Sequence, residues 1–186
     1  VQACLEKGVK RLLYVSSVHA LRTPPTGLIN EQLDPDLNNL SGAYAKSKAM
    51  ATIEVMNAIQ KGLDAVIVFP SGVIGPYDFS RSYTGSAIKG YIDAKKTQYY
   101  FDGKYDFVDV RDVADGIYRA WKHGEKGQGY IISGNVSSLE QIIEEVEKNT
   151  GNAIKRRKVP AALVRIAAFF APAYYAAARK KPVLSK

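Results

Sequence analysis

Residues 63–69 read Leu-Asp-Ala-Val-Ile-Val-Phe before the chain meets Pro70. An apolar run without polar alternation has no face to give to water, which is the pattern of a strand covered on both sides. Such strands belong to parallel sheets with helices on either face, so this run constrains the fold class more than any other feature. A companion strand is predicted from Lys10 to Ser17, and a helix from Ser41 as N-cap to Lys61, stopped by Gly62. Between them lies a polar segment, residues 18–40, long enough to be functional rather than a mere connection. Strand, long loop, helix and strand make half of a parallel α/β unit.

The rest of the chain is punctuated in the same style. Val1 to Gly8 reads as the end of a helix closed by Gly8. After Pro70, Ser71 to Asp78 forms a turn-rich loop at the carboxyl end of a strand, where open parallel sheets bind ligands. A helix is predicted near 84–95, with short strands near 98–101 and 105–109. Asp112 is the expected cap of a helix running to about Lys122, and Tyr130 to Ser133 reads as a strand. Ser137 with Glu140 reads as the capping box of a helix that ends at Gly151.

Composition narrows the function classes. At 186 residues, 46% hydrophobic and 24% charged, the chain can build a sizeable core. Its single cysteine, Cys4, excludes an internal disulfide, and with His19 and His123 it does not furnish a usual zinc set, so no metal site is expected. A reducing cytoplasm fits best. The net charge of +8 would suggest nucleic acid if it covered a face, but residues 1–150 hold 17 Lys/Arg against all 18 Asp/Glu, while residues 151–186 hold nine Lys/Arg and no acid. The basicity belongs to the tail, and nucleic acid is not an expected partner. Residues 159–178 are apolar apart from Arg165 and the Tyr hydroxyls and have the length of a membrane span. Pro160, Arg165, Pro172 and many alanines favour two shorter helices over membrane contact.

Two segments carry chemistry. Leu12-Leu13-Tyr14-Val15-Ser16-Ser17 ends a strand on a serine pair, and Tyr44-Ala45-Lys46-Ser47-Lys48 sets a phenol and an ammonium four apart, on one face of a helix. A phenol is a poor acid or base at neutral pH unless a fixed cation stabilises its phenolate. The spacing alone selects nothing, because Tyr-x-x-x-Lys occurs four times, at Tyr44/Lys48, Tyr91/Lys95, Tyr100/Lys104 and Tyr118/Lys122. Only Tyr44 follows a serine-ended strand and precedes a second apolar strand. Hydrolysis is disfavoured, since no Gly-x-Ser-x-Gly elbow is present and His19 has no evident partner.

In this order the motifs resemble the extended short-chain dehydrogenase/reductase superfamily, in its NAD-dependent epimerase/dehydratase group and dihydroflavonol-reductase-like branch. Tyr14-Val15-Ser16-Ser17 is similar to the strand carrying the catalytic serine, and Tyr44 to Lys48 to the Tyr-x-x-x-Lys motif. Phe69 to Pro76 resembles the loop beside the nicotinamide, with Thr84-Gly85 in the usual downstream place. Phe107 to Asp115 and Gly129 to Gly134 resemble the late strand-to-helix segment and the strand after it.

The resemblance implies the C-terminal part of a Rossmann-like parallel sheet with a small α/β substrate-binding region. A partial dinucleotide-binding domain is expected over 1–76, and a substrate-binding region mixed with late Rossmann elements and basic helices over 77–186. It also implies hydride transfer with NADP or NAD, a small-molecule substrate and a possible homodimer. Tyr44 would exchange the proton on the substrate oxygen, Lys48 would support the phenolate and bind the nicotinamide ribose, and Ser17 would hydrogen-bond the substrate oxygen. Ser17 is preferred over Ser16 as the last of its run, although strand alternation points the two to opposite faces. Pro70, Val73 and Ile74 are the remaining cofactor contacts implied.

One departure is plain. The family opens with a Rossmann strand and a TGxxGxxG loop that holds the pyrophosphate, and this sequence has neither; Gly124, Gly127 and Gly129 precede a strand and read as an ordinary loop. By comparison with the family, about a hundred preceding residues and a piece beyond Pro182-Val183-Leu184 are expected elsewhere. The chain is expected to be a fragment, inactive alone. Three classes follow for the parent: a carbonyl reductase, a nucleotide-sugar epimerase or dehydratase that retains NAD, and a non-catalytic protein on the same fold.

Overall fold

The computed structural model describes residues 1–164 except 25, 26, 33, 34, 36, 41 and 81. The elements are α1 (Gln2–Glu6), β1 (Leu12–Val15), a 3-10 turn (Val18–Ala20), α2 (Ala43–Gln60), β2 (Ala65–Pro70), β3 (Gly72–Ile74), α3 (Tyr83–Ile92), β4 (Gln98–Tyr100), β5 (Lys104–Asp109), α4 (Val110–His123), β6 (Gly129–Ile132), β7 (Asn135–Ser138), α5 (Leu139–Thr150) and β8 (Arg156–Lys158). The chain divides into two units. Val1–Val73 with Val108–Gly134 forms one, and Ile74–Phe107 with the chain from Asn135 onward forms the other.

The first unit is built on a parallel sheet in the order β1-β2-β6. Leu12 to Val15 pair with Ala65 to Val68, and Ile67 to Pro70 pair with Gly129 to Ile132. All six residues of β2 are buried, the two-sided cover that its unbroken apolar run predicts. Side-chain alternation divides the burden between two layers. Ala65, Ile67 and Phe69 join a core with Ala45, Ala49, Val55 and Ala58 of α2, while Val66 and Val68 pack with Ala120 of α4. The buried positions of α2 recur every three or four residues and are mostly small, so its backbone lies close against the sheet. Each large side chain fully buried here, such as Phe69 or Ile67, contributes about 1.5–3 kcal/mol of transfer free energy.

In the second unit β5 and β7 pair antiparallel, from Lys104↔Ser138 to Phe107↔Asn135, and β4 and β8 pair parallel. Tyr100, Ile143 and Ile154 form its small buried cluster, with Tyr91, Ala94, Leu139 and Val146 packed against it. Arg156 binds Glu147 and Glu144, tying β8 to α5.

Two caps differ from expectation. Asp109, not Asp112, caps α4: its backbone is extended and its carboxylate accepts from Arg111 N at 2.8 Å, while Asp112 falls in the first turn, where a negative charge favours the helix dipole. The capping box of α5 is Ser138 with Gln141, one residue later than Ser137 with Glu140, because β7 runs on through Ser137 and ends only at Ser138, where the helix begins. Gly151 ends α5 with φ 70, the left-handed conformation that glycine adopts without a Cβ clash. The expected Ser41 cap lies outside the described residues, and Gly42 takes the N-cap position of α2. Residues 165–178 of the apolar tail are likewise outside them; among the described residues no helix is long and apolar enough to cross a membrane.

Candidate active site

The carboxyl ends of β1 and β2 lie side by side, since Val15 registers with Val68 and Ser16 N donates to Val68 O at 2.8 Å. Ser16 and Ser17 leave the sheet at this end of β1, and Pro70 closes β2 at the same end. The expected serine pair is buried at 5% and 6% exposure, but its two hydroxyls are committed differently. Ser16 Oγ lies 2.8 Å from Thr52 Oγ1 of α2. Ser17, extended at φ −161 and ψ 151, caps the 3-10 turn by accepting from His19 N at 3.3 Å. A hydroxyl that accepts in this way keeps its own proton to donate.

Tyr44 and Lys48 stand on the first turns of α2, one turn apart and on one face. Tyr44 is 57% exposed, so its phenol is open to a ligand. The Lys48 stem is half-buried and its Nζ donates to Val15 O at 3.2 Å, which pins the ammonium to the tip of β1 next to the serine pair. That ammonium also lies 5.9 Å from the centre of the Tyr14 ring, within cation–π range. Burial pushes the Tyr14 phenol above its ordinary pKa, with the Tyr44 phenol adding to the rise, so Tyr14 is a neutral wall.

Three residues of this neighbourhood escaped the sequence reading. His19 lies edge-on to Tyr44, ring centres 6.1 Å apart at 76°, so its backbone holds Ser17 and its ring holds Tyr44. Its place two residues after Ser17 was the available signal. Thr52 lies four residues after Lys48, on the same helix face, a spacing visible in sequence. Tyr14 is the third, and its membership depends on β1–α2 packing that no spacing reveals.

Of the remaining expected residues, Pro70 is buried at the end of β2 opposite Ile132, and Val73 is 37% exposed in β3. Ile74 opens the second unit and is half-buried. Among the described residues no group of His, Cys, Asp or Glu could hold a metal ion.

Comparison with known proteins gives this geometry a context. The NAD dependent epimerase/dehydratase family model matches residues 1–133. A protein of Synechocystis sp. provisionally named a dihydroflavonol 4-reductase is 35% identical over 166 residues, covering 86% of this chain and 48% of its own. The chain spans about half the length of the curated relatives it matches. The crystal structure of gox2253 superposes with a TM-score of 0.82 at 28% identity, covering 99% of this chain and 56% of its own. That of PA4631, a nucleoside-diphosphate-sugar epimerase from Pseudomonas aeruginosa, does so at 0.79 and 25% identity, covering 91% and 56%. A parallel sheet whose carboxyl edge gathers a serine pair, a Tyr-x-x-x-Lys helix and a proline turn, together with a family match over residues 1–133, places the chain in the NAD dependent epimerase/dehydratase family.

Proposed function

We propose that the chain supplies the proton-handling part of an NAD(P)-dependent oxidoreductase acting between a hydroxyl and a carbonyl. The observation that carries the reading is the Lys48 ammonium fixed to Val15 O, one helical turn from the exposed Tyr44 and beside Ser17. Ser17 donates its free proton to the substrate oxygen. Tyr44 gives a proton to that oxygen on reduction and takes one on oxidation, and the Lys48 charge stabilises the phenolate left behind.

The residues present fit one end of a nicotinamide dinucleotide. Lys48 offers an ammonium to the ribose hydroxyls, and the Pro70 turn with Val73 offers an apolar flank; Ile74 is a further contact on the sequence resemblance alone. When bound, the nicotinamide supplies or accepts the hydride. The sequence holds no glycine-rich loop for the pyrophosphate, so this reading assigns that loop to further polypeptide completing the sheet.

The likeness to an epimerase of nucleotide sugars favours a second reading, in which the same residues serve an enzyme that keeps its nicotinamide between half-reactions. The full-length protein decides between them and tests both. A reductase consumes reduced nicotinamide in proportion to carbonyl substrate, whereas an epimerase co-purifies with nicotinamide and shows no net consumption. Either activity must collapse in Tyr44→Phe.

A further inference from the structure

The proposed chemistry uses one hydroxyl of the serine pair, and the structure gives the other a separate task. Thr52 Oγ1 donates to Lys48 O at 2.9 Å. A hydroxyl has one proton, so the 2.8 Å contact with Ser16 must be donated by Ser16 to Thr52. A one-way relay therefore runs from Ser16 through Thr52 to the Lys48 carbonyl. Both hydroxyl residues are buried, at 5% and 1% exposure. The side chain of the same lysine reaches back to the same strand, its Nζ on Val15 O at 3.2 Å. Consecutive residues at the tip of β1 thus hold Lys48 at both ends of its flexible stem, Val15 at the ammonium and Ser16, through Thr52, at the backbone.

We propose that Ser16 and Thr52 are positioning residues for Lys48. The inference rests on the Ser17–Tyr44–Lys48 reading above. A threonine bonding the carbonyl four residues back is ordinary in helices and needs no serine opposite it. Two apolar side chains would fill this buried space without polar groups to satisfy, so burial alone does not account for a hydroxyl pair here. What the pair adds is direction: it fixes the height of the Lys48 turn against the strand that ends in Ser17. Displacements of about 1 Å in a positioned group can cost as much as a hundredfold in rate, so loosening this grip should be visible in turnover.

The test is a double-mutant cycle in the full-length protein, reading thermal stability and steady-state kinetics together. Thr52→Val strands the buried Ser16 hydroxyl without its acceptor and should lower Tm. Ser16→Ala leaves Thr52 donating to Lys48 O and should cost less, and the double variant, which removes both polar groups, should recover most of the Thr52→Val loss. Catalysis should not follow that recovery. All three variants should show kcat reduced about tenfold with KM within about twofold, and Thr52→Ser should restore kcat. If kcat returns with Tm in the double variant, or never falls, the hydroxyls serve stability alone and the proposal fails. Tyr44→Phe is the control: a fully active Tyr44→Phe overturns the underlying reading, whereas an inactive Tyr44→Phe beside a fully active double variant overturns only the positioning role.

Discussion

At the scale of single residues, spacing sets which groups share an element, and packing sets which of them meet. Tyr44 and Lys48 share a helix face because they are four apart, and Ser17 follows the end of β1, which stops at Val15 rather than running to Ser17 as the sequence suggests. Which serine faces which partner was open, since it is set by the height of α2 on β1. Packing likewise decides how close Gly124 lies to its neighbours. A Cβ there would stand 2.3 Å from Ala120 O and 3.0 Å from Val66 Cγ1, and the nearer atom is helix backbone that cannot swing aside. The Gly124 carbonyl also accepts from Arg11 Nη1 at 2.9 Å, and Arg11 pairs with Asp64 ahead of β2. Gly124→Ala should therefore cost about 1–3 kcal/mol in a chemical denaturation experiment, as overpacking does. An unchanged midpoint would mean that the α4–β2 junction is looser than described.

Elements were legible in kind and less so in their ends. The two-sided burial of β2 follows from Ala65 to Phe69, but the cap of α4 required choosing between Asp109 and Asp112. Both are acidic, and only the chain's exit from β5 selects the first. The choice has a pH signature. The Arg111 guanidinium, with the Arg111 backbone N–H, holds the Asp109 carboxyl at about 2, below the ordinary carboxylate value. A carboxyl lowered in the folded state adds stability above its unfolded pKa and loses it as pH falls through its folded value. Asp109→Asn keeps a capping oxygen and discards the charge. Near neutral pH it should melt below the parent, with the gap closing from about pH 4 toward pH 2. A gap independent of pH would show that the Arg111 pair contributes nothing to the stability of α4. Asp109 is partly exposed and Arg111 well exposed, so the gap should be small and shrink with salt.

At the scale of the whole molecule, the parallel α/β class was readable from one buried strand, whereas the order β1-β2-β6 was not, because pairing depends on which helix covers which face. In that sheet β1 and β6 each pair on one side only among the described residues, and Val15 is 39% exposed on β1. Unpaired edges invite further strands, in keeping with a chain that spans about half the length of its relatives. By itself the chain should show no saturable binding in a nicotinamide-dinucleotide titration, since the glycine loop that carries most of the phosphate contacts is not in its sequence. Tight binding would place the pyrophosphate on a site not described above. The central claim is that Tyr44 moves the proton that accompanies hydride transfer. Tyr44→Phe in the full-length protein, followed in a single turnover by the absorbance of reduced nicotinamide, tests it most directly. The account predicts a rate loss of at least about a hundredfold with cofactor affinity preserved. A rate within about threefold of the parent would contradict it.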